Sequence, residues 1–178
     1  LAAGLSVDRA LLLGDLRWWS SFAGSRTSCA ALISPDPLPW VVIYTDATGR
    51  GSIGGVLCEE PSSWFSDHAG SISSQLATRK TQVNAFEVFA VLVGLSVWGP
   101  RLTGRRVLIF VDNTVALGCL RKAVSSAADL EALVHGAWAL MDRLRVAARF
   151  QWVPSKLNLG DSPSRGKGAA LGTQLVVP

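Results

Sequence analysis

The sequence predicts an α/β fold: a five-stranded mixed sheet, a three-strand antiparallel meander plus parallel strands, flanked by helices. Three observations predict it. Two continuous apolar runs, Val41-Val42-Ile43-Tyr44-Thr45 and Val107-Leu108-Ile109-Phe110-Val111, each end in an aspartate, Asp46 and Asp112. Such β-branched runs read as central strands buried on both faces. A Gly-rich turn and two short strand patterns follow the first run. Apolar stretches of helical length separate the remaining strands.

In chain order, residues 8–22 carry Leu12, Leu16 and Trp19 at helical spacing. Residues 24–39 are rich in Ser and Pro, with Pro35, Pro37 and Pro39, and read as a linker. Residues 1–39 are therefore expected as a helical segment plus linker, residues 40–166 as the main domain and residues 167–178 as a tail. The first strand covers residues 41–46. Gly49 and Gly51 turn the chain into a second strand over 53–58, and Pro61-Ser62 turn it into a third over 64–67. Residues 84–98 form a helix stopped by Gly99-Pro100. The strand over 107–112 follows by a right-handed crossover, which places it parallel to the first. Residues 114–122 form a short helix. Leu130, Leu133, Val134, Ala137, Met141 and Leu144 mark a long amphipathic one, with Ser126 as its expected cap and Asp129 three residues on. Residues 148–153 are the last strand.

Hydrophobic content of 49% and charge of 17% describe a globular chain. Leu at position 1 points to an excerpt of a longer product. The apolar stretch over 88–98 is too short to span a bilayer, and no membrane association is expected. Cys29, Cys58 and Cys119 are odd in number, without Cys-x-x-Cys or paired His. This disfavours zinc and disulfides and fits an intracellular, reducing compartment, cytoplasmic or nuclear. His68 and His135 are isolated and read as surface or satisfied side chains. The net charge of +4 is concentrated at the end of the chain, where Arg143, Arg145, Arg149, Lys156, Arg165 and Lys167 face only Asp142 and Asp161. A basic tail beside acidic groups suits a phosphodiester partner, and a solvated helix face with a basic linker would look the same.

Four carboxylates are hard to justify structurally. Asp46 and Asp112 end buried strands. Glu87 is the only charge between Thr81 and Pro100, and Asp161 follows the last strand. Carboxylates in such places are costly unless paired or metal-bound. In open α/β sheets, sites form at the carboxyl ends of strands where the connection reverses. The economical explanation is that they meet around divalent metal.

At these residues the chain resembles ribonuclease H, and more narrowly the ribonuclease H domain of retrotransposon reverse transcriptases, especially of DIRS-like elements. The matching pieces are Tyr44-Thr45-Asp46-Ala47-Thr48, Asn84-Ala85-Phe86-Glu87, Val111-Asp112-Asn113 and the run from Trp152-Val153-Pro154 through Lys156 and Asn158 to Asp161-Ser162-Pro163-Ser164-Arg165, spanning about residues 40–166. Asp15-Leu16-Arg17-Trp18-Trp19 loosely resembles the segment joining polymerase to ribonuclease H in such elements. The resemblance implies endonucleolytic cleavage of the RNA strand of an RNA/DNA hybrid with two Mg²⁺ ions, or Mn²⁺ in their place, during reverse transcription. It implies that Asp46 bridges both ions, that Glu87 and Asp112 hold the ion activating water, and that Asp161 holds the ion at the leaving group. Mg²⁺ prefers such hard oxygen ligands, and two ions can clamp both oxygens of an in-line displacement. Substrate selection then rests on the 2′-hydroxyl. Thr48, Gly49, Gln75, Asn84, Asn113, Lys156, Asn158 and Arg165 are the candidate nucleic-acid contacts. Gly49 also reads as a turn residue, Asn84 as a helix cap and Lys156 as a solvated loop lysine.

The family often carries His where this chain has Lys156. The chain also lacks the polymerase Tyr-x-Asp-Asp signature, because its one tyrosine, Tyr44, precedes Thr-Asp-Ala. A polymerase domain of the same polyprotein is the expected partner. An integrase would need its catalytic Glu after the second Asp, and a proofreading exonuclease would need Asp-x-Glu on the first strand. Here Glu87 precedes Asp112, Glu131 sits on the amphipathic helix away from the sheet edge, and Asp46 is followed by Ala47-Thr48, so both are disfavoured. The remaining alternative is a catalytically inactive, nucleic-acid-binding or structural module of a degenerate retroelement.

Overall fold

A computed structural model of the chain describes Arg17, Ser20, residues 39–74, Leu76 and residues 82–177. Cys29, Gln75, residues 24–38 of the expected 24–39 linker and all of the expected 8–22 helix except Arg17 and Ser20 lie outside the described residues. The chain divides into two compact units, Leu1–Pro35 and Asp36–Pro178. The second is the subject here.

Strands β1 (Val41–Ala47), β2 (Ser52–Cys58) and β3 (Ser63–His68) form the antiparallel meander. A single helical turn, α1 (Gly70–Ser73), precedes the central helix α2 (Val83–Val97). A further turn, α3 (Gly99–Leu102), leads into β4 (Arg106–Val111). Then come α4 (Thr114–Lys122), α5 (Ala128–Arg143), β5 (Ala147–Trp152) and a last helical turn, α6 (Asp161–Ser164). With β6 (Thr173–Gln174), the sheet order is β5-β4-β1-β2-β3-β6, with β1, β4 and β5 mutually parallel. The crossover rule therefore placed β4 correctly beside β1.

The sheet has six strands rather than five. Thr173–Gln174 form β6, pairing parallel with Ser63 and Trp64 of β3. Two residues without a hydrophobic pattern leave no periodicity to detect. Two glycines explain how this segment reaches the sheet edge. Gly172 has a positive φ of 102°, and a Cβ at Gly168 would stand 2.3 Å from the Trp64 ring.

Helix α2 explains the interior. It packs on β1 and β2 on one side and against α5 on the other. Ala85, Phe86, Val88, Ala90, Val91, Val93 and Leu95 are all buried, as expected for a helix apolar nearly all round. Trp98 closes its end. The indole is buried and donates to Ser63 Oγ at 3.0 Å, and Gly94 leaves room for the ring. Burial of one such aromatic contributes roughly 1.5–3 kcal/mol. Gly99-Pro100 do not end helicity outright. They open the separate turn α3, where Pro100 lacks only a donor that has no partner in a first turn.

Two local expectations need correction. β1 and β4 are not buried on both faces. Val41, Ile43, Val107 and Ile109 are buried under the helices, whereas Val42, Tyr44, Leu108 and Phe110 stay half-buried on the other face. There the Tyr44 and Phe110 rings stack at 4.7 Å. A continuous apolar run cannot say how completely its second face is covered. Ser126 is not the cap of α5. Ala127 takes the N-cap position without a side-chain bond, Ser125 Oγ accepts from Ala127 N–H, and Asp129 accepts from Leu130 N–H. Among the described residues, no helix is long and apolar enough to cross a membrane.

Candidate metal centre

The parallel pairing of β1 and β4, in which Tyr44 lies beside Phe110, brings their carboxyl ends to one level. Asp46 therefore ends up beside Asp112. Glu87 reaches the same point from the first turns of α2, one turn past Asn84. Each of the three carboxylates offers an oxygen, and these oxygens lie within 4.8 Å of one another. Asp46 and Glu87 are buried, and Asp112 is half-buried.

The electrostatics show how unfavourable this cluster is without a cation. Burial, then Asp46, then Asp112 push the Glu87 carboxyl up to about 9, opposed by a bond from the Ala47 backbone N–H. Glu87 Oε2 is buried and has no hydrogen-bond partner among the described residues. Asp46 is also raised, chiefly by burial, with the Ser164 hydroxyl opposing and Asp112 and Asp161 adding to it. A buried carboxylate with a partnerless oxygen, clustered with two other carboxylates, is the arrangement a hard divalent cation relieves. The donor set therefore fits such an ion.

Asp161 is placed differently. It opens α6, and its Oδ1 accepts from Arg165 Nε at 2.9 Å and Nη2 at 2.8 Å. The pair is exposed, 41% for Asp161 and 59% for Arg165. Asp161 is near enough to raise Asp46 but does not join the group of three.

Backbone contact seats α6. A Cβ at Gly54 would come 2.2 Å from Ser164 N, and one at Gly160 would come 2.8 Å from Thr45 C. Both glycines let this turn lie flat on β1 and β2. Ser164 is then buried with its hydroxyl donating to Asp46 Oδ2. Sequence reasoning gave Ser164, Gly54 and Gly160 no role. The available signal was the position of Ser164, three residues after Asp161 and so on the same side of a helical turn.

The expected nucleic-acid contacts separate into two sets. Asn158 is buried and committed to the protein: its amide donates to Thr45 O at 3.0 Å, and its Oδ1 accepts from Gly160 N–H. It braces the last bend, and its amide also comes 3.5 Å from Asp46 Oδ1. Asn113 caps α4 by accepting from Val115 and Ala116 N–H, and its Nδ2 donates to Asn84 Oδ1 at 2.8 Å. Asn84 is therefore not the cap of α2, whose N-cap Gln82 makes no side-chain bond. Thr48 accepts from Ser52 N–H within the β1–β2 turn. Gly49 is exposed with open space around it, and Gly51, with φ 87°, is the glycine that the turn requires. Lys156 is exposed on a short turn, Ser155–Leu157, beside a hollow that Asp161 also lines. The exposed indole of Trp152 donates to Asp112 O at 3.1 Å and fixes the backbone at that carboxylate.

No protein-family model matches the sequence, and no curated protein does. Solved structures do match. The N-terminal RNase H domain of a Mycobacterium tuberculosis protein, solved as a fusion with maltose-binding protein, is 19% identical with a TM-score of 0.51. That match covers 74% of this chain and 95% of that one. RNase H1 of the archaeon Halobacterium salinarum is 17% identical with a TM-score of 0.51, covering 75% and 95%. LC11-RNase H1, isolated from compost by a metagenomic approach, is 18% identical with a TM-score of 0.51, covering 76% and 100%. With the strand order and the flanking helices, these likenesses show that the chain has a ribonuclease H-like fold.

Proposed function

We propose that this domain is a metal-dependent endonuclease that cleaves the RNA strand of RNA/DNA hybrids. The observation that carries the proposal is the meeting of Asp46, Glu87 and Asp112 within 4.8 Å, with one buried Glu87 oxygen left partnerless. The fold alone does not need three carboxylates there, and their mutual repulsion costs stability. Asp46, Glu87 and Asp112 would hold a divalent ion, Mg²⁺ or Mn²⁺, and Asp161 would contribute to a second. Such ions stabilise the attacking and leaving oxygens of a phosphodiester displacement. The residues themselves orient. Ser164 holds Asp46, Trp152 holds the Asp112 backbone, and Asn158 ties the last bend to the end of β1.

The structural neighbours are RNase H proteins. The run from Trp152 to Arg165 resembles retroelement ribonuclease H and supports a role in reverse transcription, inside the cell, beside a polymerase domain of the same polyprotein. Labelled RNA/DNA hybrid with Mg²⁺ tests the reading. Only the RNA strand should be cut, and Asp112→Asn should abolish cutting while leaving the fold intact. Unchanged cleavage by that variant, or equal cutting of duplex DNA, would sink it.

A further inference from the structure

Beside the three-carboxylate cluster lies an open hollow of about 640 Å³, to which Thr48, Arg50, Ser52, Ser66, Ser164 and Arg165 contribute. We infer that it seats a phosphodiester of the nucleic-acid backbone, and that Asp161 holds Arg165 back from that seat until the phosphate arrives. The inference rests on the nuclease reading of the cluster and adds the order in which its parts engage.

Two arginines from different elements line it, Arg50 on the β1–β2 turn and Arg165 just after α6. Both are exposed. Asp67 sits on the rim as a single opposing carboxylate, also exposed. The fork of a guanidinium matches the oxygens of a phosphate, and the hydroxyls of Thr48, Ser52 and Ser66 on the same lining suit the same ligand. In the structure, however, Arg165 directs two N–H groups onto one oxygen of Asp161. An exposed pair of this kind is weak and easily exchanged. A phosphate in the hollow takes over the Arg165 guanidinium. Asp161 then loses its counter-charge while it faces Asp46, so a cation at the cluster becomes its partner. Substrate phosphate and the ion bound by Asp161 therefore favour each other, reciprocally.

The test measures binding of an RNA/DNA hybrid to the full chain in chelator, where no cleavage interferes. Arg50→Gln and Arg165→Gln should each weaken binding several-fold, and each should lower the dependence of log affinity on log salt by about one. Asp161→Asn should tighten binding several-fold by freeing Arg165. The double variant Asp161→Asn/Arg165→Gln should show no such gain over Arg165→Gln alone. If the gain persists without Arg165, Asp161 acts by simple repulsion and the latch is wrong. Hybrid binding with unaltered salt slopes in both arginine variants overturns the phosphate seat while leaving the nuclease reading standing. No hybrid binding by any form overturns the phosphate seat, and cleavage of the hybrid with Mg²⁺ decides the nuclease reading separately. A second measurement needs no nucleic acid. Mn²⁺ titrated into the free protein should bind several-fold more tightly at its weaker site in Arg165→Gln, with the tighter site unchanged. An unchanged weaker site overturns the exchange.

Discussion

Asp46, Glu87 and Asp112 on one side, and Asp161 on the other, are the same chemistry in two settings. The first three are delivered by the ends of β1 and β4 and by α2, within 4.8 Å of one another, and Arg165 offsets only part of the charge at Asp46. Asp161 is delivered by a one-turn helix held on the sheet by two glycines, is exposed, and already has a guanidinium partner. The inner three pay for their position with a raised Glu87 and a partnerless oxygen. The fourth is comfortable where it stands. A site assembled this way has a rigid half that demands a cation and an adjustable half that can respond to what binds.

The comparison breaks most directly at the rigid half. Asp46→Asn, Glu87→Gln or Asp112→Asn should each lower hybrid cleavage by more than about 100-fold, a larger loss than deletion of groups one step away from a metal produces. Circular dichroism should show an unchanged fold. Residual activity above a tenth in all three would remove the distinction between the two halves.

The adjustable half should fail through its seating. Gly160→Ala puts a Cβ against the Thr45 backbone, so roughly 1–3 kcal/mol of stability should be lost. Cleavage should fall with Asp161 displaced, while the tighter Mn²⁺ site keeps its affinity. Chemical denaturation and metal titration check the two parts separately. Loss of both metal sites would mean that α6 supports the whole centre.

Protonation sharpens the contrast. Glu87 titrates near 9 in the folded protein against 4.5 as its ordinary value. Its contribution is thus fully present below about pH 4.5 and is lost as pH rises toward 9, because the unfolded chain ionises first. Metal-free protein should lose on the order of a few kcal/mol over that window, and Glu87→Gln should flatten the profile. An ion must displace this proton, so Mn²⁺ affinity should rise with pH, with proton release measurable by calorimetry in buffers of different ionisation heat. A wild-type stability curve as flat as that of Glu87→Gln would contradict the burial argument.

Ser164→Ala tests the link between the halves. Removing the donor to Asp46 should weaken metal binding by about 10–100-fold, and Ser164→Thr should recover part of it only if the extra methyl fits. The smallest effect belongs to Lys156. Lys156→Ala should slow cleavage a few-fold, and Lys156→His should restore or raise turnover near the imidazole range, since an ammonium does not shuttle protons at neutral pH. Identical pH–rate profiles for the Lys, Ala and His forms would leave this exposed lysine without a catalytic part.

Much of the architecture was legible because it follows from local pattern. The β-branched runs before Asp46 and Asp112, the Gly-rich turn and the uncharged stretch around Glu87 specify strands, hairpin and buried helix with little help from the rest of the chain. The crossover rule then sets β4 parallel to β1, and that alone puts two aspartates at one sheet edge. Three things were decided by tertiary structure. Asn158 looks like a polar loop residue and is buried bracing, because only the folded bend shows that Thr45 O and Gly160 N–H await it. Ser164, Gly54 and Gly160 matter because two segments far apart in sequence touch at backbone distance, which no periodicity encodes. Asp161 has the residue type of a fourth ligand, but whether a carboxylate faces a metal or an arginine depends on which charge stands nearest in space, and side-chain identity alone carries no information about that.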